Sequence, residues 1–341
     1  MKQTILVTGA AGYIGTDLVE TLLQQGYKVR AIDRLYFGPE KLQTFKSNPD
    51  FELLVIDSRS LQERHFQGVF AVCDLVAMSN DPSGDLNPLL TQEINHLGRV
   101  QTAKHAKRSG VTRYILFSSC SVYGAGTELN LKEDAAVNPL TAYSKASYAA
   151  ELDVLALASN DFSVTIMRNA TVFGLSRRMR FDLVVNLMVL TAFETGKIII
   201  TGGGDQWRPL VHLHDISVAV TMILTQNPKD VNCEIFNIGR ENIKVKTLAY
   251  QIREALDSVI EIQLIADDPD KRDYHISFEK AAAKIGFIAS TTIEEGAIEV
   301  HRGLISGEIS RTDKTSTVGW YKKLVEAEKL YKSLNIDGNI F

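Results

Sequence analysis

The sequence predicts an α/β protein: a doubly wound parallel sheet with helices on both faces, followed by a smaller α/β lobe. Two patterns carry this. Short β-branched apolar runs alternate with helical runs through the first half of the 341 residues, and that alternation builds parallel sheets. The first such unit also joins strand to helix through glycines spaced three apart. In sheets of this kind the ligand lies at the carboxyl ends of the strands.

Taken in order, Thr4 to Thr8 is an apolar strand, and Gly9, Gly12 and Gly15 follow before a helical pattern that opens at Tyr13. Glycines let a backbone approach a pyrophosphate, and a helix N-terminus supplies free N–H groups and a positive dipole end. Lys28 to Asp33 is the next strand. It ends in an acid about twenty residues past the glycines, where a carboxylate can accept hydrogen bonds from an adenosine ribose. Asp33 favours NAD, since it would repel a 2′-phosphate. Arg34 beside it could pair with such a phosphate, stack on adenine or sit in solvent.

Residues 51–57 and 69–77 read as strands. Residues 88–109 form a helix with apolar positions at 3–4 spacing, stopped by Gly110. A strand over 113–117, an alanine-rich helix over 141–159 and a strand over 162–168 complete the alternation. Beyond that the segments shorten, with helices expected over 181–194, 216–226, 246–256 and 291–306 and turns at Gly174, Gly196, 202–204 and Pro209. The division expected is 1–175 for the dinucleotide unit, with some later segments returning to it, 176–311 mainly for a substrate lobe, and 312–341 as a helical extension with a packing role.

Composition narrows the function. Hydrophobic residues at 45% and charged residues at 23% are ordinary for a globular chain, and a net charge of −4 offers no surface for nucleic acid. Cys73, Cys120 and Cys233 form neither a disulfide nor a zinc framework, which suggests a reducing, cytoplasmic setting. The longest apolar stretch, 183–193, contains Asn186 and Thr191 and is too short for a bilayer, so no membrane partner is expected. His212 and His214 lack a third ligand nearby, so no metal is expected.

The chemistry lies at the end of the 113–117 strand. Ser118 and Ser119 put hydroxyls at the sheet's carboxyl edge, and Tyr143 stands at a helix start after Pro139. A phenol held by a hydroxyl above a nicotinamide suits proton transfer coupled to hydride transfer.

These motifs resemble the extended short-chain dehydrogenase/reductase family, specifically its NAD-dependent nucleotide-sugar epimerase and dehydratase branch, from residue 4 to about 306. Thr8 to Gly15 resembles the family's TGxxGxxG, with Tyr13 and Ile14 inside the turn. The resemblance implies that Asp57 and Ser58 contact adenine and that Val76 and Ala77 lie beside the cofactor, with Asn95 and Ser118 also in the cofactor set. It implies Ser119 and Tyr143 as catalytic residues. Asn186, Arg208 in an R-x-x-x-H-x-x-D run, and Arg272 would hold a nucleotide diphosphate. Ser79 and Thr171 are further substrate candidates beside the resemblance, as is Arg180, whose basic run 177–180 could clamp a diphosphate or an acidic sugar group or sit in solvent. A nucleotide-diphosphate sugar is the implied substrate, and a homodimer through the 88–109 and 142–159 helices the implied assembly.

Two departures matter. The family's Tyr-x-x-x-Lys is Tyr143-Ser-Lys-Ala-Ser147 here. Without a nearby cation a phenol's pKa stays near 10 and proton abstraction at neutral pH weakens. Either Lys145 substitutes, or the reaction asks less of the lysine, or the chain binds NAD and turns over poorly. Cys120 and Ser121 also replace the Asp-Glu pair of the 4,6-dehydratases, which argues against dehydration. Epimerisation or oxidoreduction at sugar C4 is the expected activity. Reduction of a ketosugar or small carbonyl compound, and non-catalytic NAD binding, are the alternatives.

Overall fold

A computed structural model describes residues 2–125, 128–257, 259–265, 273–336 and 338. The strands are β1 (Thr4–Thr8), β2 (Lys28–Asp33), β3 (Phe51–Val55), β4 (Val69–Asp74), β5 (Arg113–Ser119), β6 (Ser163–Asn169), β7 (Thr171–Phe173), β8 (Lys197–Thr201), β9 (Trp207–His212), β10 (Glu234–Ile238), β11 (Glu241–Lys244) and β12 (Glu261–Ile265). Among the described residues seven of them form one sheet in the order β10-β6-β5-β4-β1-β2-β3, every pair parallel. The order reverses between β1 and β4, and a crevice opens there at the strand ends.

Period-two alternation distributes the core. Ile5 and Val7 face the helices Gly15–Gln24 and Leu213–Thr225, whereas Leu6 faces Arg99–Arg108 and Ala142–Leu155. In β5, Ile115 and Phe117 join the first layer, and Tyr114 and Leu116 the second. Both faces are therefore buried, as a parallel sheet requires. A further apolar cluster, with Val185, Val189, Ile252, Val300 and Leu304, holds the later helices together beside the strand ends.

The structure revises several expected boundaries. The 88–109 helix is broken into Pro88–Gln92, a π-helical turn Glu93–Gly98, and Arg99–Arg108. The next helix is shorter than expected, Ala142–Leu155, begun by a Thr141–Ser144 capping box. Glu234–Ile238 was unassigned in the sequence; it returns to the sheet edge and pairs with β6.

Two buried ion pairs sit at the carboxyl edge. Asp74 accepts from Thr8 Oγ1 at 2.5 Å, Arg99 Nε at 3.0 Å and Tyr114 Oη at 2.7 Å. Arg99 also donates to the carbonyls of Asp74 and Phe117, at 2.6 and 2.8 Å. Arg168 grips Glu151 through Nε and Nη2, and Ser118 donates its hydroxyl to the same carboxylate. Removing one member of such a pair strands a buried charge, at a cost of about 3–5 kcal/mol. We therefore expect Arg99→Leu to lose stability on that scale in urea unfolding. Lys197→Ala, which breaks an exposed pair with Glu261 at 3.0 Å, should cost less than about 1 kcal/mol.

Candidate active site

The glycine turn is sterically determined. Gly9 takes φ +67°, and a Cβ there would lie 3.1 Å from the Val76 nitrogen; a Cβ on Gly15 would lie 2.3 Å from the Gly9 carbonyl. The turn thus runs against the end of β4, with the start of helix Gly15–Gln24 open above it. Tyr13 faces inward: its hydroxyl donates to the Gly174 carbonyl at 2.6 Å and accepts from Asn186 Nδ2 at 2.9 Å. Burial drives its phenol far above the ordinary range, so it acts as a brace and not as an acid.

Asp33 lies across the turn. Its carboxylate accepts from the Ala11 and Leu35 amides, at 2.9 and 2.7 Å, while burial raises its pKa. A residue that is half-buried, acidic and tied to the glycine turn is placed to receive ribose hydroxyls. Arg34 donates to Asp57 at 2.9 Å and lies 4.5 Å over the Tyr36 ring. Arg59 Nη2 pairs with Asp57 at 2.7 Å, and these hydrogen bonds hold the Asp57 carboxyl down at about 2. Of the three options open for Arg34, phosphate pairing fits least, because its charge is already engaged. Ser58 is buried in the turn that Asp57 caps.

At the end of β5, the Ser119 hydroxyl accepts from the Ser121 amide at 3.1 Å and lies close enough to the Tyr143 phenol to lower its pKa. Tyr143 comes this close because of Gly84, where any Cβ would lie 2.8 Å from Tyr143 Cβ. The turn Asp81–Gly84 pins the helix start: Thr141 Oγ1 donates to Asp81 at 2.5 Å, and the Ala142 amide donates to Asp85 at 3.0 Å. Burial pushes the Tyr143 pKa up and the Asp81 charge adds to this; the Ser119 hydroxyl, Arg99 and Arg180 pull the other way. Ser147, at the lysine position, is buried and donates to the Tyr143 carbonyl at 2.9 Å, whereas Lys145 is exposed on the same helix.

Several residues expected to touch ligand instead build the walls. Asn95, in the π-helical turn, spends both ends of its amide on the Met78 backbone, at 2.8 and 3.2 Å, and so fixes the segment holding Val76 and Ala77. Asn186 is buried, with its amide divided among Gly174, Tyr13 and Arg180. The Ser118 side chain turns away to Glu151. In all three the side-chain polar atoms have partners within the protein.

Ser79 and Arg180 are brought together at 3.3 Å, and Arg180 pairs with Asp182 at 3.0 Å. Arg208 is buried on β9, and Thr171 opens β7 at the cleft. Arg272 lies outside the described residues. His212 is engaged by Glu299 at 2.6 Å, and the described residues contain no cluster of three or more His, Cys, Asp or Glu that could hold a metal. Sequence reasoning missed Asn169. Beside Ser119 in the sheet register, it keeps a buried Oδ1 without a partner among the described residues; its one signal is the arginine–asparagine pair that ends β6.

The sequence matches the NAD dependent epimerase/dehydratase family over residues 5–239. The chain belongs to that family. UDP-glucuronic acid decarboxylase 1 of Xenopus tropicalis is 25% identical over 306 residues, which cover 86% of this chain and 70% of that protein. UDP-glucuronate 4-epimerase of Thermodesulfobacterium geofontis is 26% identical, over 96% of this chain and 98% of its own. Among solved structures, MoeE5 in complex with UDP-glucuronic acid and NAD superposes with a TM-score of 0.78 at 25% identity, covering 89% of this chain and 99% of that one. The family is NAD-dependent, and the cradle fits: a turn that only glycines can make, a helix N-terminus, and a half-buried carboxylate opposite. Asp33 would also repel a 2′-phosphate. Calorimetric titration should give a Kd for NADP about tenfold or more above that for NAD, and Asp33→Ser should narrow the gap.

Proposed function

We propose that the chain is a C4 epimerase of a UDP-sugar, with a UDP-hexuronic acid as the favoured substrate class. The Ser119 hydroxyl and the Tyr143 phenol, brought together beside the cofactor cradle, carry this reading. NAD, when bound, supplies an acceptor for the C4 hydride. Tyr143, as phenolate, takes the C4 hydroxyl proton while Ser119 holds that oxygen, and the sugar becomes a 4-ketone. Reduction on the opposite ketone face, with the proton returned by Tyr143, inverts C4 and leaves the cofactor oxidised as it began. Arg208, Arg272, Ser79 and Thr171 are assigned to the UDP-sugar. Arg180 sits where an acidic sugar or phosphate oxygen would meet a cation.

The uronic acid preference rests on the two relatives named above, which share that substrate class while differing in outcome. Their difference is explained chemically. A 4-keto uronic acid is a β-keto acid, which can lose CO2 without a further base. Decarboxylation is therefore the second reading; it begins with the same oxidation at C4 and asks the same of Tyr143.

The deciding measurement is NMR of the purified protein with NAD and UDP-glucuronic acid. Inversion at C4 supports the epimerase; release of CO2 with a UDP-pentose moves the assignment to decarboxylation; no change in any UDP-sugar overturns both. Tyr143→Phe should lower turnover about 10²–10⁴-fold. Because the base must be ionised and its pKa is raised, kcat/KM should climb with pH through the neutral range. Ser147→Lys should move that climb to lower pH, and an unmoved profile would count against Tyr143 as the base.

We further propose a homodimer through the 88–108 and 142–155 helices, where Leu89, Leu97 and Leu152 are exposed. Light scattering should give twice the chain mass, falling to one chain in Leu97→Glu.

A further inference from the structure

Residues 312–321 lie across the cofactor cleft and are fastened to both of its lips. One lip is the loop that follows Asp33. There Trp320 Nε1 donates to the Tyr36 carbonyl at 2.8 Å, and the Phe37 and Tyr321 rings lie 5.7 Å apart. The other lip is residues 178–182. There the Phe181 amide donates to the Thr315 carbonyl at 2.8 Å, the Thr317 amide to Asp182 at 3.2 Å, and Arg178 Nη2 to Thr317 Oγ1 at 2.9 Å. Thr317 is fully buried, although it opens a helix whose later turns are exposed. The second lip is itself joined to the glycine turn: Ser176 Oγ donates to the Tyr13 carbonyl at 2.7 Å and accepts from the Arg178 amide at 3.3 Å.

Arg178 lies beneath this crossing. Its guanidinium sits 3.6 Å over the Phe37 ring and lines a cavity of about 410 Å³ with Glu40, Lys41, Asp313, Lys314 and Trp320. It is 3% exposed, no carboxylate among the described residues pairs with it, and its Nε has no partner there. Burial pulls its pKa down to about 9. A buried cation without a counter-ion is costly, and such groups persist where a ligand supplies the charge. Phe37, on which the guanidinium stacks, is four residues past Asp33, so Arg178 lies on the Asp33 side of the cleft.

We propose that residues 312–321 form a strap that retains the bound dinucleotide, and that Arg178 beneath it meets the dinucleotide's diphosphate. This rests on the NAD reading above. Once Asp33 holds the ribose, departure of the cofactor requires the Trp320–Tyr36 and Thr317–Asp182 bonds to open. A diphosphate also occurs in a UDP-sugar; the position of Arg178 on the Asp33 side assigns it to the cofactor.

The test measures release of NAD from the intact protein by rapid displacement, with melting temperature as the control for folding. Trp320→Ala with Tyr321→Ala should speed release about tenfold, and Trp320→Phe, which removes only the hydrogen bond, by a smaller factor of about three. Release within twofold of wild type in either folded variant overturns the strap. For Arg178→Met, the cofactor-free protein should melt at or above wild type, since a stranded charge is gone, while its NAD-induced rise in melting temperature shrinks and its response to UDP alone is unchanged. Loss of the UDP response instead would place Arg178 on the substrate and overturn its assignment. If the wild-type protein binds no NAD at all, the functional reading fails first, and the strap with it.

Discussion

Asp74 and Arg99 are both sealed from water, and the carboxyl ends of β1, β4 and β5 meet on them. From those three ends leave the glycine turn, the 75–78 segment beside it, and the Ser118–Ser119 pair. Thr8, already fastened to Asp74, also accepts from the Leu75 and Val76 amides, at 3.1 and 3.2 Å. One ion pair thus sets where the cofactor cradle lies relative to the hydroxyl that serves Tyr143. Buried pairs of this kind add little net stability and fix geometry instead, since breaking one costs far more than never having it. The Arg168–Glu151 pair does the same one strand over, behind β5 and β6.

The alternation of apolar runs made the sheet legible. Each strand of the first half is short, β-branched and bounded by turn residues, and period two places its residues in two core layers. The glycine turn and Asp33 were legible for a stricter reason, because few residues can make that backbone shape or receive a ribose. What escaped sequence reading has no local signature. The partnership of Asp74 with Arg99 joins residues on different elements. Arg99 reads as one more basic residue on a helix whose last turn is also basic. The break of the 88–108 helix at Asn95 is decided by the Met78 backbone, far off in sequence. The tail read as an amphipathic helix, and nothing in its pattern named the loop it would cover.

Site residues divide along the same line. Those whose chemistry is positional, Gly9, Gly15 and Asp33, lie where their types demand. The amides of Asn95 and Asn186 instead find their partners inside the protein and hold walls in place. A polar residue at a motif position can be spent on the scaffold as readily as on the ligand, and its hydrogen bonds tell which. The phenol is the unusual case. Its helix offers Ser147 in place of a cation, and the balance at Tyr143 is left to Ser119 and to arginines borrowed from other elements, Arg99 and Arg180.

The bond from Trp320 to Tyr36 joins residues 284 apart. Synthesis runs from one end, and domains fold N-terminal first. The glycine turn, Asp33 and the inner strands leave the ribosome early. β10 must follow before the sheet edge is complete, and residues 312–321 come later still. A nascent chain therefore exposes the glycine turn and Asp33 before the residues that bond to the 36–37 loop have been made.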